Sequence, residues 1–159
     1  MNRPGSSSRT PRATREFAAH TLAAGSAGGA PLAVEPLSFW GGYDTERGLI
    51  VEPAHPQCGL SLAGKVMLMP RAKGSSSSSS VLAEAIRNGT GPAAIVLCEA
   101  DLIVAIGVIV AQELYSVNVP LVTVDVDLFA ALCAAGVPLY VDAPGDGAQA
   151  TVRIDQAAQ

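Results

Sequence analysis

Three short runs, Lys65–Met69 (KVMLM), Ala93–Leu97 (AAIVL) and Leu121–Val124 (LVTV), recur at even spacing, and after the leading lysine they are almost wholly apolar. Strands with no polar alternation must be covered on both faces. The segments between them have helical periodicity. Ser79–Arg87 places Val81, Leu82, Ala85 and Ile86 on one face and is stopped by Asn88-Gly89. Asp101–Tyr115 is apolar behind Asp101 as N-cap, and a third helix, capped by Asp125 or Asp127, runs through Ala134 to Gly136. Leu139–Val141 and Thr151–Ile154 are further strands. Strand and helix in alternation predict an α/β fold with a largely parallel central sheet. The short apolar stretches Pro31–Val34 and Leu49–Val51 cannot all join that sheet. They predict a second β layer, giving a three-layer β/β/α sandwich.

The composition sharpens this reading. The chain has 159 residues, 49% hydrophobic and 15% charged. This suits one domain with a full core and leaves apolar surface for something to cover. The longest apolar stretch, Leu102–Ala111, is far short of the about 20 residues that span a bilayer, so no membrane segment is expected. Arg3, Arg9, Arg12 and Arg15 face Glu16 alone in the first twenty residues, and the rest is acidic, which argues against a nucleic-acid surface. Residues 1–25, rich in Arg, Ser and Pro, read as a disordered basic tail ahead of a single domain over 26–159. Cys58, Cys98 and Cys133 are too few and too scattered for a disulfide framework and fit a reducing cytoplasm. They read as buried small hydrophobes, and no metal ligands are expected from this chain.

The serine run Ser75–Ser80 carries the chemistry. By composition it is a linker. Its position between a buried strand and the next helix argues otherwise, since such connections are short. There Gly74 allows a tight turn, and the serines bring hydroxyls and backbone N–H groups to a helix N-terminus, a place for a carboxylate or phosphate. The Gly-Lys-Ser/Thr ending of a P-loop and the G-x-S-x-G of a nucleophile elbow are both missing. Neither His20 nor His55 is placed to complete a Ser–His–Asp triad. A serine here becomes a base only in strong positive potential, which the helix N-terminus and Lys73 or Arg71 offer. The loop Pro36–Gly42 holds the one Trp. It is either a plug under the fold or a substrate-facing wall in which Trp40 excludes water and Gly41 and Gly42 admit close approach.

Taken in order, Pro36-Leu-Ser-Phe-Trp-Gly-Gly42, Ser61-Leu-Ala-Gly-Lys65, Gly74 with its serines, and Pro92-Ala-Ala-Ile-Val96 resemble the small subunit of the aconitase X family over about residues 28–143. The resemblance implies a swivelling β/β/α domain. It implies that Ser75, the first serine of the G-S-S at the helix start, removes the proton beside the substrate carboxylate as an alkoxide. Gly74, Ser76, Ser77, Trp40, Gly41 and Gly42 would bind substrate. Ser77 stands where ordinary aconitases carry an arginine, so Ser76, Ser77 and backbone N–H groups, or a larger subunit, would hold the carboxylate. The implied reaction is dehydration of cis-3-hydroxy-L-proline to Δ1-pyrroline-2-carboxylate, the unbroken serine run being closer to that branch. The alternatives are dehydration of mevalonate 5-phosphate and a non-catalytic anion-binding or regulatory domain. An iron–sulfur cluster, acting as Lewis acid, would belong to a large partner subunit, without which this chain would be inactive.

Overall fold

The computed structural model describes residues 14–155. In chain order these form β1 (Thr14–Ala23), β2 (Gly25–Gly29), β3 (Pro31–Ala33), the kinked single turn α1 (Phe39–Gly42), β4 (Tyr43–Asp44), β5 (Leu49–Ile50), β6 (Val66–Met69), α2 (Ser78–Arg87), β7 (Ala94–Leu97), α3 (Leu102–Tyr115), β8 (Leu121–Thr123), α4 (Val126–Ala134), β9 (Leu139–Ala143) and β10 (Ala150–Asp155). Eight strands make one mixed, nearly closed sheet in the order β2-β9-β10-β1-β8-β7-β6-β3, and β4 pairs with β5 separately.

The two halves of the sheet differ. β3, β6, β7 and β8 are parallel neighbours, whereas β1, β10, β9 and β2 pair antiparallel. β1 joins the halves by running antiparallel to β8, with a bulge between Thr21 and Ala23. Bulges bend a strand and raise its twist. Side chains alternate across a strand, so the parallel strands feed two cores. Met67, Met69, Ile95, Leu97 and Leu121 meet Leu82, Ile86, Val104 and Val108 of α2 and α3. Val66, Leu68, Ala94, Val96 and Val122 meet Val141, Val152 and Ile154 of the antiparallel half, with Leu132 of α4. This is why those strands are apolar but for Thr123 at the end of β8.

Several expectations change. The second β layer is the antiparallel half of the same sheet, not a set of early short strands; Pro31–Ala33 pairs in parallel with β6 instead. β9 does not extend the parallel series, because both its partners are antiparallel. "Largely parallel" therefore describes four strands of eight. The tail expected over residues 1–25 does not include Thr14–Ala23, which is an inner strand hydrogen-bonded on both sides. Arg3, Arg9 and Arg12 lie outside the described residues. The cysteines are not buried hydrophobes, since Cys58 and Cys133 are exposed and Cys98 is half-buried at the end of β7. Desolvation, with Glu99 and Asp125 adding to it, pushes the Cys98 thiol pKa up, and desolvation also raises that of Cys133.

The helix caps follow the sequence. Asp101 accepts from the Val104 N–H at 2.9 Å and Asp125 from the Leu128 N–H at 2.8 Å, each satisfying an orphan donor of its helix. Gly107 lets α3 approach α2: a Cβ there would lie 2.8 Å from the Ser79 carbonyl oxygen. The outer face of α3 leaves Leu102, Ile106 and Ile109 exposed. Among the described residues no helix is long and apolar enough to cross a membrane.

Candidate functional site

Two loops leave the carboxyl ends of neighbouring parallel strands and run side by side. One follows β3 into α1, the other follows β6 into α2. Val34 N–H donates to the Leu68 carbonyl at 2.8 Å, and Lys73 N–H donates to the Leu37 carbonyl at 3.2 Å. Open parallel sheets usually bind ligands beyond these strand ends.

The aromatic loop divides its two rings. Leu37 and Phe39 are buried, and Phe39 meets Tyr43 edge-on with ring centroids 5.8 Å apart, so Phe39 is the plug. Trp40 is 61% exposed. Gly41 sits at φ +74°, a conformation glycine adopts without steric cost. Trp40, Gly41 and Gly42 line a cleft of about 250 Å³ with Ser38, Glu52 and Lys73. Lys73 Nζ lies 3.1 Å from Glu52 Oε1 across it, so this cation is already paired.

The serine loop adjoins that cleft without lining it. The unusual torsion falls on Ser75 (φ +151°), not on Gly74, which corrects the expectation that the glycine makes the turn. A side chain with a Cβ is strained there, and such strain clusters at functional sites. The Ser75 carbonyl accepts from Ser78 N–H at 3.1 Å. Ser79 and Ser80 turn their hydroxyls back onto the carbonyls of Ser76 and Ser77, each at 2.9 Å. Ser76 and Ser77 are exposed, and Ser77 opens α2 without a side-chain cap bond. At this start of the helix the N–H groups of Ser78, Ser79 and Val81 already donate to the carbonyls of Ser75, Ser76 and Ser77.

Two residues that the sequence reading passed over join the loops. Ser78 is 6% exposed; its Oγ accepts from Trp40 N–H at 3.0 Å and lies 3.2 Å from Ser38 Oγ. A signal for Ser78 was present: Leu82, Ala85 and Ile86 mark the buried stripe of α2, and one turn back along that stripe is Ser78.

Both histidines lie away from the serines. His55 is buried, with Nε2 2.9 Å from the Glu35 carbonyl and Nδ1 accepting from Gln57 N–H, which makes it a loop brace. His20 lies on a depression of about 450 Å³ formed by β1 and the β9–β10 loop, with no serine of the run on its wall. The described residues contain no group of three or more His, Cys, Asp or Glu able to hold a metal. With two cysteines exposed and one at a strand end, this chain's described side chains do not fit an iron–sulfur cluster.

The family model of the aconitase X swivel domain matches residues 16–150. The chain belongs to that family. A cis-3-hydroxy-L-proline dehydratase of Pseudomonas aeruginosa is 46% identical over 102 residues, 64% of this chain and 18% of that one. A phosphomevalonate dehydratase small subunit of Pyrococcus furiosus is 43% identical over 89 residues, 56% of this chain and 62% of its own. Aconitase X of Thermococcus kodakaraensis, solved in its holo-form, superposes with a TM-score of 0.72 at 29% identity, covering 89% of this chain and 99% of that one. The swivel chain thus spans only about a fifth of the bacterial relative and under two thirds of the archaeal one.

Proposed function

We propose that this swivel chain is the small subunit of a two-chain hydro-lyase that removes water from cis-3-hydroxy-L-proline, with Ser75 as the base. Ser75 takes the Cα proton, hydroxide leaves C3, and the enamine formed tautomerises to Δ1-pyrroline-2-carboxylate. Ser76, Ser77 and the backbone N–H groups just ahead of α2 hold the substrate carboxylate, whose charge suits a helix N-terminus. Gly74 gives access, and Trp40, Gly41 and Gly42 wall the pocket.

The observation that carries this reading is the torsion at Ser75. A serine held in a conformation that disfavours it, at the mouth of a helix and beside a tryptophan-walled cleft, is a group placed for chemistry. Lys73 is engaged by Glu52 and Arg71 does not line the cleft, so the additional positive potential that a serine base requires comes from a larger partner subunit. That subunit is also where we place the iron–sulfur cluster. Its size follows from the bacterial relative, most of whose length this chain does not cover. The exposed apolar residues of α3 suit a surface covered by it.

The identity to the Pyrococcus furiosus small subunit favours a second substrate, mevalonate 5-phosphate, for the same site and base. Co-production of the chain with its large subunit, followed by assay of both substrates, separates the readings. The first predicts dehydration of cis-3-hydroxy-L-proline with kcat/KM at least about tenfold above that for mevalonate 5-phosphate. The reverse ratio selects the second substrate, and failure with both refutes the dehydratase reading.

A further inference from the structure

Ser78 touches both the serine loop and the Trp40 loop beside the candidate pocket. Its backbone N–H donates to the Ser75 carbonyl at 3.1 Å, and its Oγ accepts from Trp40 N–H at 3.0 Å. Ser38 Oγ lies 3.2 Å from Ser78 Oγ and 3.4 Å from the Trp40 carbonyl oxygen. The donors and acceptors fit a single circuit. Trp40 N–H donates to Ser78 Oγ, Ser78 O–H to Ser38 Oγ, and Ser38 O–H to the Trp40 carbonyl. Each hydroxyl then gives one bond and takes one.

We propose that Ser78, with Ser38, is a positioning residue: a hydroxyl clamp that fixes Trp40 and Gly41 in register with Ser75. The inference rests on the reading of this cleft as the substrate site. Two features single out the clamp. Trp40 and Gly41 have non-helical torsions inside the α1 turn, so helical bonding does not hold this backbone. Ser78 alone of the run is buried, where an unpaired hydroxyl is costly. Its burial is explained by the bonds it makes to the neighbouring loop. A backbone fixed on one side by the Ser75 carbonyl and on the other by Trp40 N–H keeps base and wall at constant separation, and proximity effects fall off steeply with misplacement.

The test uses the sole Trp of the chain as reporter, then the assembled enzyme. In the isolated full chain, Ser78→Ala and Ser38→Ala are expected to lower Trp40 fluorescence anisotropy and raise acrylamide quenching, whereas Ser75→Ala leaves both at wild-type values. In the complex, with cis-3-hydroxy-L-proline and mevalonate 5-phosphate as probes, Ser78→Ala and Ser38→Ala should raise KM by about tenfold and lower kcat less, while Ser75→Ala abolishes kcat. Ser38→Ala leaves the α2 start and its backbone bonds untouched, so it keeps the test valid should Ser78→Ala fold poorly. Unchanged Trp40 anisotropy and KM in Ser38→Ala would overturn the clamp. Full activity of Ser75→Ala with a loosened Trp40 would instead overturn the assignment of the base and leave the clamp standing.

Discussion

Ser75 bears the clearest local strain of the candidate site, and its two simplest replacements respond to it differently. Alanine keeps the penalty of a Cβ at φ +151°, whereas glycine removes it. The relief, of about 1–3 kcal/mol, exceeds the about 0.5–1 kcal/mol of extra chain entropy that glycine brings. Thermal melts should therefore rank Ser75→Gly above Ser75→Ala, with both inactive in the complex. Tyr43 is the second informative residue. Its hydroxyl donates to the Thr90 carbonyl and accepts from Leu62 N–H, and burial raises its pKa above the usual 10.0. The unfolded chain then ionises before the folded one. The stability from the neutral phenol is complete below pH 10 and is lost as pH rises through the folded value. Tyr43→Phe should cost about 1–2 kcal/mol at neutral pH, and its melting temperature should fall less steeply above pH 10 than that of the wild type.

At the scale of elements, α2 and α3 approach closely at Gly107. Gly107→Ala gains about 1 kcal/mol of helix propensity but sets a methyl 2.8 Å from the Ser79 carbonyl oxygen and 3.2 Å from Leu82. Overpacking of this kind costs about 1–3 kcal/mol. Denaturant midpoints should fall, and because Ser79 belongs to the serine run, turnover should fall further than stability alone explains. β6, β7, β8 and α2–α4 were legible in the sequence because burial on two faces or one stripe leaves a pattern in the residues. β1 was not: the residues it buries deepest are Ala19 and Ala23, too small to stand out beside an Arg- and Ser-rich start. The antiparallel setting of β9 was also hidden, since residue type does not encode strand direction. Ser78 was lost among identical neighbours, and only helix phase distinguishes it.

For the whole molecule, the sheet explains why one small chain needs no polar stripe on its central strands: its antiparallel half covers them from one side and α2 and α3 from the other. The same arrangement leaves the serine loop and the Trp40 loop together at the carboxyl ends of β6 and β3. This end of the site was legible because a strand, a glycine and a helix start frame the serines. What supplies positive charge was not legible, because Lys73 answers to Glu52, a residue distant in sequence. The central claim is that Ser75 removes the Cα proton. Its most direct test is loss of label from cis-3-hydroxy-L-proline deuterated at Cα, followed in the assembled enzyme with wild-type chain and with Ser75→Ala. The account predicts release of deuterium to water by the wild type and a fall of about 10²–10⁴-fold in the variant. Release at the wild-type rate by Ser75→Ala would contradict it.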